Sequence, residues 1–333
     1  MNIYEISEKA GVSIATVSRV LNGSAKVSEK TRKKILQVME ENNYQPNVFA
    51  RGLGLNSMNT IGILCADSSD VVLASAVYAI EQELRKNQYD ALLCCTGYDT
   101  AMKEKYLKLL LSKRVDALIL AGSNFVEAVP EKNQYIIDAA KEVPVIIMNG
   151  WLEAPNVYCT LCDDVEAMQR VTMKFLKRTE RILWLYRSES FGSRSKTKGV
   201  VQGFRLTGRE LPNEQSVLFH GSIDETKQML LHRWERGERW DVILTSDDEL
   251  AVGAYKFSRM AELKVPEELQ IVGYNNSIQS ICCEPEITSI DNHMDYLGQS
   301  AVSMLMKVLD GEQIPARVAA YADIVVRGTT KDL

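Results

Sequence analysis

The chain has 333 residues, of which 46% are hydrophobic and 25% charged, and a formal net charge of −5. No fixed-period repeat, low-complexity tract or apolar run of membrane length interrupts it. Its seven cysteines, an odd number with no secretory signal ahead of them, say little, and reduced thiols in a cytoplasm are the simplest reading. The charge is uneven. Residues 1–60 hold eight Lys/Arg against five Asp/Glu, a balance of +3, which leaves −8 for the remainder. A basic module on an acidic chain points to localised phosphate contact, not to a polycation.

In chain order, Asn2 caps a first helix with Glu5 three residues on, the spacing of a capping box. Ile3, Ile6 and Ala10 form its inward stripe, and Gly11 supplies the left-handed stop. Ser13 caps a second helix in which Val17, Val20 and Leu21 face inward, leaving Ile14, Ala15, Thr16, Ser18 and Arg19 turned toward a groove. Ser28 caps a third, whose Ile35, Leu36 and Met39 close a small core beneath Lys30, Arg32, Lys33 and Lys34. Helix, glycine turn and second helix with a polar start is the layout of a DNA-reading helix-turn-helix. Asn47 can cap a short helix running to about Leu53. Gly52 within that segment costs about 1 kcal/mol relative to alanine, so two turns are marginal on their own.

From residue 59 the pattern changes to short apolar runs followed by amphipathic stretches. Ile61–Cys65, Ala91–Cys94, Val115–Leu120, Val143–Met148, Arg181–Leu185, Val242–Leu244 and Gln270–Val272 read as strands buried on both faces, hence as parallel sheets covered by helices. Such sheets bind ligands beyond the carboxyl ends of their strands. That rule selects Asp67 and Ser69, Asn149, Asp247 and Asn275, with Arg194 and Lys198 in a loop ahead of a helix at Val201. Asp247 is equally suited to capping the helix that follows it, and Asn275 to satisfying a turn. Carboxylates, amides and cations together suit a polyhydroxylated ligand.

The string Val12-Ser13-Ile14-Ala15-Thr16-Val17-Ser18-Arg19-Val20-Leu21-Asn22, then Val27-Ser28, then Asn43-Tyr44-Gln45-Pro46-Asn47-Val48-Phe49-Ala50-Arg51-Gly52-Leu53, resembles the DNA-binding head and hinge of the lactose/galactose repressor family. The likeness continues more loosely to about Arg327. It implies a homodimeric transcription regulator, most often a repressor, that reads a pseudo-palindromic operator and answers to a small molecule. Ile14, Ala15 and Arg19 fall where the family reads bases, Thr16 and Ser18 where it grips phosphates, and Leu53 where it kinks the central minor-groove step. Asn47 and Arg51 complete the expected hinge contacts. Ile14 and Ala15 cannot make a bidentate hydrogen bond, so Arg19 is expected to carry much of the direct readout.

The resemblance also implies a small all-α head, a hinge helix and an α/β bilobed periplasmic-binding-protein-like core with two parallel-sheet subdomains. The expected division is 1–46 for the helix-turn-helix, 47–58 for hinge and linker, and 59–330 for the effector and dimerisation core. One subdomain takes about 61–160 and 293–320, the other about 162–290 and 321–327. Departures from the family pattern bear on the ligand. Val200 stands in place of a usual arginine, Asn275 in place of an aspartate, and Val72, Leu73 and Ile223 in place of aromatics. A plain monosaccharide is therefore less suited than a carbohydrate or derivative that leans on Arg194, Lys198 or Trp151. No catalytic residue, metal or cofactor is expected, because Cys159 and Cys162 form an isolated C-x-x-C and no P-loop or G-x-S-x-G occurs. The rival readings are an α/β enzyme and a solute-binding protein that does not bind DNA. The expected partners are operator DNA, a small effector and a second copy of the chain, with no heptad segment for a tetramer and no membrane.

Overall fold

A computed structural model describes residues 2–21, 26–44, 57–331 and 333. The expected contacts at Asn47, Arg51 and Leu53 lie outside the described residues.

Three helices form the head: α1 (Ile3–Ala10), α2 (Ile14–Leu21) and α3 (Glu29–Glu41). The Asn2 side chain accepts from the backbone of Tyr4 and Glu5, and the Glu5 carboxylate accepts from the Asn2 N–H at 2.9 Å, closing the capping box. Gly11 ends α1 with φ at +60°. Ser13 Oγ accepts from Thr16 N–H at 3.2 Å, and Ser28 Oγ from Thr31 N–H at 3.3 Å. Ile6, Ala10, Val17, Val20, Ile35 and Met39 make the buried core. Leu36 does not join it. It is 50% exposed, because Ile35 and Met39 lie one turn apart on the inner face while Leu36 is rotated about 100° away from them.

The rest is built on two six-stranded sheets. The first has the order β11-β5-β4-β3-β1-β2 and is parallel throughout, with β1 Thr60–Cys65, β2 Asp90–Cys95, β3 Ala117–Ala121, β4 Val145–Met148, β5 Val157–Cys162 and β11 Arg317–Ala320. The second has the order β12-β10-β9-β8-β6-β7, with β6 Ile182–Tyr186, β7 Ser216–Leu218, β8 Val242–Thr245, β9 Gln270–Tyr274, β10 Thr288–Asp291 and β12 Asp323–Val325. Only its edge strand β12 runs antiparallel. The sheets are thus mostly parallel, with one antiparallel edge.

Helices α4 (Val71–Lys86), α5 (Thr100–Ser112), α6 (Gln134–Ala140) and α11 (Met294–Leu309) serve the first sheet. Helices α7 (Asp164–Leu176), α8 (Phe191–Leu206), α9 (Ile223–Glu235) and α10 (Asp248–Met260) serve the second. The chain passes between the lobes after β5, after β10 and after β11. Fully buried strands such as β1, β3, β4 and β8 read as unbroken apolar runs because both faces are covered. β2 departs from that expectation. It lies at the sheet edge with Leu92 and Leu93 40% and 45% exposed.

Candidate functional site

In a parallel βα unit each helix starts where a strand ends, so capping side chains and the positive helix ends gather along one rim of each sheet. Asp70 caps α4, Asp99 caps α5, Ser190 caps α8 and Asp247 caps α10, each accepting from backbone N–H groups of the first turn. The two rims face one another across a cleft of about 650 Å³ that takes lining from both lobes.

On the first lobe, Asn149 ends β4 in the left-handed region at φ +57° and is buried, with its N–H donating to Thr160 O at 2.6 Å. Its Oδ1 has no partner among the described residues, and neither has the buried Nδ2 of Asn124. Both residues line the cleft. A buried acceptor and a buried donor without protein partners are costly unless a ligand or water satisfies them. Asp67 and Ser69 close a turn on themselves: the Asp67 carboxylate accepts from Ser69 N–H and Oγ–H at 2.8 and 2.7 Å. Those bonds hold its pKa below the usual value. The pair flanks a neighbouring recess that also includes Asp70, Arg187 and Asp247.

On the second lobe, Asp247 accepts from Leu250 N–H at 2.9 Å and from both Nε and Nη2 of Arg187, at 3.2 and 3.3 Å. Arg187 also pairs with Glu249 at 3.2 Å and donates to Gly221 O at 2.8 Å. Asn275, with φ at +90°, accepts from Asn292 Nδ2 at 3.1 Å. The Lys196 ammonium is buried and donates to Ser246 O at 2.8 Å, with the Tyr274 ring centroid 3.7 Å from Nζ. Burial lowers its pKa, and the wholly buried Asp164 carboxyl beside it is raised by the same cause. Asp164 accepts from Tyr274 Oη at 2.6 Å.

The structure therefore brings Asn149, Asp247 and Asn275 to the cleft and Asp67 and Ser69 to its margin. Arg194 and Lys198 are elsewhere. They do not lie in a loop, because Ser190 caps a helix that begins at Phe191 and carries both residues. Both line a separate groove with Trp151 and Phe191. Trp184 is fully buried in β6. The cleft cations that sequence reasoning missed are Arg187, Lys196 and Lys103, which pairs with Glu127 at 2.9 Å. Arg187 follows the end of β6 and satisfies the strand-end rule that selected the others. Lys196 and Lys103 sit on helices, where no strand-end signal reaches.

In the head, Ile14, Ala15 and Arg19 are exposed on α2, and Thr16 and Ser18 are half-buried. Thr16 Oγ1 lies 2.9 Å from Ser13 Oγ. Lys30, Lys33 and Lys34 are exposed on α3. Among the described residues no helix is long and apolar enough to cross a membrane, and no group of His, Cys, Asp or Glu is arranged to hold a metal.

Residues 2–47 match the family of bacterial regulatory proteins, lacI family, and residues 58–324 match periplasmic binding proteins and the sugar binding domain of the LacI family. A helix-turn-helix-type transcriptional regulator of Lachnoclostridium phytofermentans is 50% identical over 99% of both chains. Catabolite control protein A of Staphylococcus aureus is 28% identical over 99% of both. Among solved structures, the Lac repressor dimer bound to operator and the anti-inducer ONPF superposes with a TM-score of 0.88 at 22% identity, over 99% of each chain.

Proposed function

The chain belongs to the LacI family of bacterial transcriptional regulators, with a DNA-binding head and a periplasmic-binding-protein-like core and no enzyme's role, and we propose that it represses transcription in the cytoplasm as a homodimer on a pseudo-palindromic operator. In this reading residues 1–46 read DNA, 47–58 form the hinge and 59–330 hold the effector and the second copy. Ile14, Ala15 and Arg19 meet base edges, Thr16 and Ser18 meet phosphates, and Asn47, Arg51 and Leu53 act from the hinge. Arg19 has no partner among the described residues, so its five donors are available to a guanine.

The effector in this reading is a neutral, hydroxyl-rich molecule, a carbohydrate, held in the cleft by Asn149, Asn124, Asp247, Asn275, Arg187 and Lys196, with Asp67 and Ser69 at the margin. One observation carries this. Each cleft cation already has a protein partner: Arg187 on Asp247 and Glu249, Lys103 on Glu127, Lys196 on Ser246 O beside Asp164. Among the cleft-lining residues the buried polar atoms left without a partner are the amide atoms of Asn124 and Asn149, one donor and one acceptor, which match a hydroxyl's own dual capacity.

Selection of operator sequences from random duplex DNA with the full-length chain, at fixed salt and without ligand, tests the first half and is expected to return a two-fold consensus. A flat pool overturns it if the isolated head, dimerised artificially, also fails to select. Thermal-shift screening of neutral mono- and oligosaccharides tests the second half. No response from any neutral sugar sinks the effector reading and leaves the operator reading standing.

A further inference from the structure

Beside the cleft, and sharing only Val126 and Glu127 with it, lies a second groove of about 390 Å³. One wall comes from the first lobe, with Val126, Pro130 and Trp151. The other comes from α8 of the second lobe, with Phe191, Arg194 and Lys198. The lobes already touch at its base. Phe191 N–H donates to Ser123 O at 3.0 Å, Ser123 Oγ–H donates to Ser190 Oγ at 3.1 Å, and Arg194 Nη2 lies 3.4 Å from Val126 O.

The charge of this groove differs from that of the cleft. Its one lining carboxylate, Glu127, is taken by Lys103 from inside the lobe. Arg194 is held by backbone carbonyls alone, those of Glu189 and Val126, so its charge is not cancelled by an acid. Lys198 is exposed and has no partner among the described residues. A third cation, Arg317, stands with its guanidinium carbon 5.3 Å from the Trp151 ring centroid. Two uncompensated cations next to a half-buried indole and a phenyl ring form a site for a ring that carries negative charge: the ring packs on the aromatic faces and the anion accepts from the cations.

We propose that this groove is a second ligand site, distinct from the effector cleft, and that it takes a small anionic ring compound such as a phosphate ester of a sugar or nucleoside. Trp151 and Phe191 hold the ring, and Lys198 and Arg194 hold the phosphate. Because the two walls belong to different lobes, an occupant favours the lobe arrangement in which they face each other, and so biases the same conformational equilibrium as the cleft ligand.

Isothermal titration of the full-length chain at low salt, with adenosine monophosphate, ribose 5-phosphate and inorganic phosphate as separate probes, tests the site. Binding by either ester is expected, with inorganic phosphate at least tenfold weaker. Adenosine monophosphate and ribose 5-phosphate distinguish a nucleoside from a sugar source. Lys198→Glu and Trp151→Ala should each weaken ester binding at least tenfold, and Asn124→Ala, which alters only the cleft, should leave it within twofold. Circular dichroism melting of each variant establishes that it is folded. Three results would overturn the proposal: no ester binding, ester binding indifferent to both groove variants, or loss of binding in Asn124→Ala, which would make the groove the outer end of the cleft. None of these bears on whether neutral sugars bind the cleft, so the two readings fail separately.

Discussion

At the scale of single residues, the head and the core each contain one side chain whose chemistry makes a sharp prediction. Arg19 is the only member of the exposed α2 set, Ile14, Ala15 and Arg19, that can make two parallel hydrogen bonds to a base. Arg19→Ala should therefore remove about 1–3 kcal/mol of discrimination at one operator position, read as a roughly tenfold to hundredfold loss of selectivity in competition binding, with nonspecific affinity falling far less. Retained sequence preference would move the readout to another residue. In the core, Asp248 is buried at the recess beside the cleft, accepting from Ser289 Oγ and Ser277 N–H, each at 2.6 Å. Burial raises its pKa from 3.8 to about 6. The folded chain thus binds this proton more tightly than the unfolded chain does. The contribution to stability is complete below about pH 4 and is lost as pH rises through about 6. Asp248→Asn should flatten the melting temperature between pH 4 and 7 relative to the parent chain, and an unchanged slope would show that Asp248 does not titrate in that window.

At the scale of elements, helix packing in the second lobe depends on the absence of side chains. A Cβ at Gly199 on α8 would stand 2.5 Å from the Val165 backbone oxygen and 2.8 Å from Met168 Cβ on the adjacent helix. The backbone oxygen cannot move aside as a side-chain tip can. Gly199→Ala should destabilise the chain by about 1–3 kcal/mol through overpacking, despite alanine's better helix propensity, and thermal unfolding will give the sign. A stabilised variant would mean that α7 and α8 separate freely. The same scale explains what could be read beforehand. Strands with both faces covered announce themselves as continuous apolar runs, and β1, β3, β4, β8 and β9 were legible for that reason. The short edge strands β7 and β11 were not, because edge position removes the burial that writes the pattern, while β12 lies in the final 321–327 segment that the family resemblance assigns to the second subdomain. The early start of α8 was hidden because Ser190, Phe191, Gly192 and Ser193 resemble a turn, although Ser190 is the cap. Asn149, Asp247 and Asn275 followed from strand ends. Lys196 reaches the cleft only because α8 packs where it does, and that is tertiary information.

At the scale of the whole molecule, the unsolved surface is the open edge of the first sheet. β2 alternates no apolar face inward as a covered strand would. Ala91 and Cys94 pack against the core, but Leu92 and Leu93, on opposite faces, are both exposed, and Tyr78 on the neighbouring α4 is 65% exposed. An edge of this kind is a pairing hazard in a solitary chain and is ordinarily covered or charged. The proposed homodimer gives it a cover: a second copy set about a two-fold axis, with each copy offering the same edge. Two heads are then tethered, and the second head binds its half-site at an effective concentration set by the linkage, worth 10²–10⁴ in avidity. Leu93→Asp places a charge on that edge, away from both the cleft and the head. Sedimentation at micromolar concentration should show the variant as a monomer where the parent is a dimer, and its operator affinity should fall by about a hundredfold or more while a single half-site is bound as before. If the variant remains a dimer with full operator affinity, the two copies meet through another face and β2 must be covered in some other way.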